Sequence, residues 1–134
     1  AEAEATLRHS LELAPGRAIA WNSLGSVLAA QGRLSEAEVA YRRATEASSE
    51  NTMPFLLRAE LLERLGRTSE ISPMFQRLLA ARESDVPLRF ELFQFFAGRK
   101  QQGLARNMLE DVLRIQPDNP RARQLLQQQP SQWR

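Results

Sequence analysis

Trp21-Asn-Ser-Leu24-Gly25-Ser-Val-Leu28, followed after Gly32 by Ala37-Glu-Val-Ala-Tyr41-Arg-Arg-Ala44, is the stretch that decides the fold. Trp21, Leu24, Gly25 and Leu28 stand at i, i+3, i+4 and i+7, the spacing that lines up side chains on one helix face. Ala37, Tyr41 and Ala44 mark one face of a second helix. Gly32 lies between them and can supply the positive φ that ends the first helix. Gly25 and Ala37 are small where two backbones are expected to approach closely, and Tyr41 is expected to fill the space between one hairpin and the next. Such a pair cannot bury its apolar face alone and must stack on a neighbour.

The neighbours are in the sequence. Ala18–Asn51, Thr52–Asp85 and Val86–Asn119 align as blocks of 34 residues without insertion or deletion. At the same offsets the second block holds Phe55, Arg58, Ala59, Leu62, Gly66, Ile71, Phe75 and Leu78. The third holds Arg89, Leu92, Phe93, Phe96, Lys100, Ala105, Leu109 and Val112. Residues 1–17 read as the second helix of a preceding repeat, with Ala3 and Pro15 in register. Residues 120–134 read as a C-terminal capping helix and tail. Pro120 stands in the opening turn, and Gln127 and Pro130 replace core residues, giving the polar outer face of a solenoid end.

The pattern W-x2-L-G…G…A-x3-Y…A resembles the tetratricopeptide repeat (TPR) family. Ala18–Asn51 lacks only the closing proline, where Ser49 stands; the third block restores it as Pro117. The resemblance implies an all-α, right-handed α-solenoid of antiparallel helix pairs.

Several residues break the pattern. Arg58 occupies a core leucine position, so it either snorkels or pairs with a carboxylate. Arg89 replaces an aromatic, with Phe90, Phe93, Phe95 and Phe96 close by in sequence. Pro73 falls inside the expected second helix of the second repeat. The reading there is a restart, with Ser72 as N-cap, Pro73 at the first position and Thr68–Ile71 in a turn or short helical piece.

Composition excludes several classes of function. Hydrophobic residues make up 43% and charged residues 25%, ordinary for a globular chain. The pI of 9.9 overstates the basic character. The net charge is only +2, and the pI is high because one His, one Tyr, one Lys and no Cys leave little to titrate between the carboxylates and arginine. Nucleic acid is therefore not an expected partner. Arginine supplies every basic residue except Lys100, a bias that points to a bacterial source, in the cytoplasm or the periplasm. No apolar run reaches the 18 or more residues of a membrane span, so no membrane insertion is expected. With a single histidine, His9, and no cysteine, no metal site of common spacing can be built, and no phosphate loop or nucleophile–base set is present. The expectation is a chain without cofactor, metal or catalytic residues.

Function is then expected on a surface. In the family, the first helix of each hairpin lines a groove that receives a peptide. The corresponding positions here are Ile19, Asn22 and Ser26; Met53, Leu56 and Glu60; and Phe90 and Gln94, with Glu63, Arg64 and Ala97 a turn further on. Met53, Leu56 and Phe90 would anchor apolar side chains while Asn22 and Gln94 bond the peptide backbone. The alternative is that these three pack against adjacent hairpins. The carboxylate clamp of chaperone-adaptor members is absent: its positions hold Asn22, Ser26, Leu57, Pro87 and Glu91.

The leading reading is a non-catalytic protein–protein interaction scaffold, binding a peptide or protein partner in the concave groove as part of a larger bacterial protein or assembly. The alternative is a substrate-recruiting repeat region of a larger enzyme such as a glycosyltransferase. Self-association through the open N-terminal repeat is a third reading. In Glu2–Leu13 the stripe Ala3, Leu7, Leu11 and Leu13 belongs to a hairpin whose first half is missing, with Leu11 and Leu13 reaching the next hairpin. The chain is accordingly expected to be a piece of a longer solenoid.

Overall fold

Each first helix stops where the backbone turns left-handed. The computed structural model describes residues 2–128, and all their regular structure is helical. It runs α1 (Glu2–Leu13), α2 (Ala18–Ala30), α3 (Leu34–Ala47), α4 (Met53–Arg64), a 3-10 turn (Thr68–Glu70), α5 (Ile71–Ala81), α6 (Val86–Gly98), α7 (Gln102–Ile115) and α8 (Pro120–Gln127). Gly32 and Gly66 adopt φ of 78° and 74°, and Lys100 takes the same conformation at 61°. In each case the residue after it donates its N–H back to a carbonyl five residues earlier: Arg33 to Leu28, Arg67 to Leu62 and Gln101 to Phe96. This closure satisfies carbonyls that the helix end would leave unpaired. The Gln129–Arg134 part of the expected tail, Pro130 included, lies outside the described residues.

The α-helices pack as adjacent pairs, in two compact units, Ala1–Ala81 and Arg82–Arg134. In the first unit Leu11, Ala20, Leu24, Leu28, Ala37, Ala40, Tyr41 and Leu61 form one core, with Leu7, Trp21, Leu34 and Leu57 against it. A Cβ on Gly25 would stand 2.6 Å from two carbons of the Tyr41 ring. Gly25 thus makes room for a ring of its own hairpin; Tyr41 packs inside the hairpin rather than only filling the gap to the next. Leu13 departs from the expected stripe: Leu11 is buried, but Leu13 is 75% exposed. It is the last residue of α1, where the chain turns away before it can reach the next hairpin.

In the second unit Leu92, Phe96, Ala105, Leu109, Val112 and Ala122 are buried. Arg89 is buried with them, as the sequence position requires. Its guanidinium donates to the carbonyls of Arg82 (2.9 Å) and Asp85 (3.0 Å), and its Nε lies 3.6 Å from Asp111. Asp85 caps α6 by accepting from the Leu88 N–H at 2.9 Å, and Asn119 caps α8 by accepting from Ala122 at 2.9 Å.

The second repeat is irregular as expected, with a short helical piece ahead of its second helix, but the helix begins earlier than the Ser72-Pro73 pair predicts. Thr68–Glu70 is a 3-10 turn, and α5 begins at Ile71, so Ser72 is inside the helix and is not its N-cap. Pro73 is the third residue of α5. Its missing N–H falls among the donors that a first turn leaves without intrahelical partners, so the helix starts afresh two residues ahead of the proline.

Charge ties neighbouring hairpins of the first unit together twice, with the same geometry. Arg33, in the α2–α3 turn, pairs with Glu4 of α1 (2.8 Å) and with Glu36 (2.6 Å). Thirty-four residues on, Arg67 pairs with Glu38 of α3 (2.9 Å) and Glu70 (2.6 Å). Glu38 is fully buried and also accepts from Arg58 Nε at 3.1 Å. Of the two expectations for Arg58, pairing is the one observed. At the third register the residues are Ser72, Gln101 and Leu104, which carry no charge.

Candidate functional site

The sites expected from the sequence fall on α2 and α4 in the first unit and on α6 in the second. In α2 the core stripe Ala20, Leu24 and Leu28 is buried, which leaves Ile19, Asn22 and Ser26 on another face. Ile19 is 76% exposed. Asn22 is half-buried, and its Oδ1 is enclosed without a hydrogen-bond partner among the described residues. Ser26 is exposed but not idle: its Oγ lies 3.0 Å from the Tyr41 hydroxyl. That bond ties one candidate contact to the ring that fills the Gly25 notch.

In α4, Pro54 sits in the first turn, where proline costs no intrahelical bond. Phe55, Arg58, Ala59, Leu61 and Leu62 turn inward. Met53, Leu56, Glu60 and Arg64 occupy the opposite side. Met53 is 50% exposed, Leu56 is half-buried, and Glu60, Glu63 and Arg64 are exposed. Met53 stands one 34-residue register after Ile19, Leu56 after Asn22, and Glu60 after Ser26.

Phe90 corrects the expectation in the second unit. It is buried, and the Arg121 guanidinium of α8 lies 4.5 Å from its ring centroid, within cation–π range. Phe90 is therefore a covered wall and not a free anchor. Gln94 is exposed and borders a shallow cleft of about 360 Å³, lined also by Val86, Pro87, Glu91 and Arg121. Ala97 is half-buried. Pro87 shares the register of Ile19 and Met53, so the period alone could have placed it on this face. Arg121 could not be found that way, because its place on Phe90 depends on how α8 packs.

Away from these faces, the carboxyls paired with Arg33 and Arg67 are held ionised. The hydrogen bond from Arg67 holds the Glu70 carboxyl below its ordinary value, and Arg33 does the same to Glu36. Glu4 is lowered by hydrogen bonds from Arg8 and Arg33 against the opposing effect of burial. Among the described residues no group of three acidic, histidine or cysteine side chains is arranged to hold a metal ion. None of the described helices is long and apolar enough to cross a membrane.

A tetratricopeptide-repeat family profile matches residues 18–51. None of the curated proteins matches the chain. Among solved structures it is similar to YrrB, described as a TPR protein with an unusual peptide-binding site, at 24% identity and a TM-score of 0.54. That likeness covers 89% of this chain and 61% of YrrB. A tetratricopeptide repeat protein from Parabacteroides merdae is similar at 21% identity and a TM-score of 0.57, over 90% of this chain and 48% of that one. MamA from Desulfovibrio magneticus RS-1 is similar at 16% identity and a TM-score of 0.53, over 93% and 71%. The chain thus spans about three-fifths of the first of these proteins and about half of the second.

Proposed function

We propose that this chain, whose residues 18–51 match the tetratricopeptide-repeat family and whose fold is that of solved repeat proteins, is a non-catalytic scaffold that takes an extended peptide of a protein partner along the groove-lining sides of α2 and α4. One observation carries the reading. Ile19 and Met53 are large, apolar and exposed at the same register of consecutive repeats, 76% and 50%, where the fold gains little from them. Leu56 lies one turn on from Met53 and offers a partly covered apolar contact. Asn22, half-buried one turn on from Ile19, supplies a polar element beside these apolar contacts. The peptide-binding site in the description of YrrB supports this reading. Gln94 and the Pro87 cleft of α6 form a separate patch of the same kind in the second unit. The preference for arginine over lysine supports a bacterial source, and with it a scaffold for a bacterial assembly.

The test is a peptide library panned on the chain, followed by affinity measurement on variants. Met53→Glu and Leu56→Glu should each weaken the selected peptides by about 2 kcal/mol if they are anchor contacts. Helicity should be retained, since neither residue is in the core. Unchanged affinity in both, with normal helicity, would sink the proposal. Phe90 is not a suitable site for this test, because a carboxylate there would be placed under Arg121 in a buried position.

A further inference from the structure

The opposite side of the α4 hairpin carries a second cleft, of about 270 Å³, bordered by α3, α4 and α5. Its lining includes edges of Phe55, Met74 and Leu78, which are 5%, 1% and 1% exposed. Its remaining lining is polar, with Thr45 and Ser49 beside three guanidiniums, Arg42, Arg58 and Arg77, and one carboxylate, Glu46. The guanidiniums differ in how far they are already engaged. Arg58 donates its Nε to Glu38 at 3.1 Å, and Arg42 Nε is 3.8 Å from the same carboxylate. Glu38 is shared again with Arg67 at 2.9 Å, so it cannot neutralise all of them. Arg77 is exposed, on the turn of α5 that presents Met74 and Leu78 inward.

Apolar edges with a surplus of guanidinium groups have a definite complement. A carboxylate meets arginine in paired, charge-assisted hydrogen bonds, which fix direction as well as strength. The narrow apolar edges, together with the aliphatic stems of the arginines, favour a neighbouring aliphatic side chain over a bare ion. A volume of this size admits one or two side chains and not a helix. We propose that this cleft is a second docking site, for a short peptide segment in which an acidic side chain stands next to an aliphatic one. It is distinct in position and in chemistry from the faces of α2 and α4, so the two can succeed or fail separately.

The probe is a terminally blocked hexapeptide, Gly-Asp-Leu-Asp-Leu-Gly, titrated into the ¹⁵N-labelled 134-residue chain. Its neutral analogue, with both aspartates as asparagine, is the comparison. The acidic peptide should move the amide resonances of Thr45, Ser49 and Arg77, and the neutral one should not. Arg77→Glu and Arg42→Glu should each weaken binding about tenfold, and added salt should weaken it further. Leu56→Glu, on the other face, should leave it unchanged. If Arg42→Glu loses helicity, Arg77→Glu alone decides, since Arg77 is exposed. Equal binding of the neutral analogue, shifts at Asn22 and Ser26 instead, or no saturable binding would each overturn the proposal. So would inorganic phosphate moving the same resonances as strongly as the peptide, which would make the cleft an anion site without apolar recognition.

Discussion

Lys100 holds a backbone conformation that Gly32 and Gly66 hold in the two preceding hairpins. A side chain there costs about 1–2 kcal/mol, because Cβ crowds the following carbonyl. Lys100→Gly should therefore stabilise the second unit, by about 0.5–1 kcal/mol once the looser unfolded chain is counted. Urea denaturation would read this directly, and a loss of stability would contradict it. Gly25 presents the reverse case. Gly25→Ala places a methyl 2.6 Å from the Tyr41 ring and should cost about 1–3 kcal/mol. Glu38 is the most sensitive single position. Glu38→Ala leaves the buried Arg58 without its carboxylate and should cost about 3–5 kcal/mol. Replacing both partners, as Glu38→Met with Arg58→Leu, should recover most of that loss. A double variant as unstable as the single one would show that the pair does more than neutralise itself.

Helix ends show most clearly what the sequence can and cannot specify. The hairpin turns were legible because Gly32 and Gly66 are a local signal, repeated at a fixed interval. The inward stripes were legible because helical spacing alone decides them. Arg58 was legible as a burial problem with two solutions, but its partner was not, since Glu38 is 20 residues away on another helix. The start of α5 was misread because Ser72-Pro73 is a strong local cap signal. The 3-10 turn at Thr68–Glu70 leads straight into the helix and makes that cap unnecessary. Among the candidate contacts, Ile19 and Met53 were legible as exposed apolar residues, whereas Phe90 was not legible as covered, because α8 packing decides it. Two outcomes follow for these elements. Pro73→Ala should change stability by only a few tenths of a kcal/mol, since its N–H would be unpaired in any case. Asn119→Ala should cost about 1 kcal/mol by removing the cap on Ala122. Thermal melts of both would separate a first-turn proline from a working cap.

At the scale of the whole molecule the lowered carboxyls set the response to acid. Glu4, Glu36 and Glu70 in the first unit are held below their ordinary values by arginine. In the second unit burial raises Asp85, but hydrogen bonds from Leu88 and Arg82 outweigh it and the net shift is downward. A lowered carboxyl contributes stability that is complete above its unfolded value and is lost as pH falls through the folded one. The urea midpoint should therefore hold from neutral pH to about pH 5 and fall below about pH 4. Amide exchange should show α1 and the Thr68–Glu70 turn loosening in that range; an unchanged midpoint at about pH 3 would contradict the assignment. The paired arginines have a consequence for growth of the chain. Each clasp takes its acid from one block and its arginine from the next, so a single block carries the outgoing half of one seam and the incoming half of another. Ala18–Asn51 holds both halves, with Arg33 and Glu36 facing backward and Glu38 facing forward. A tandem copy of that block would therefore arrive already fitted to its neighbours: its arginine would meet the original Glu38, and its own glutamate would meet Arg67. Lengthening the array by duplication there would keep both clasps, although the original Glu38 would face a second Leu24 in place of Arg58. Duplicating Val86–Asn119 would bring no such fit, because Gln101 and Leu104 offer nothing for an upstream acid to hold.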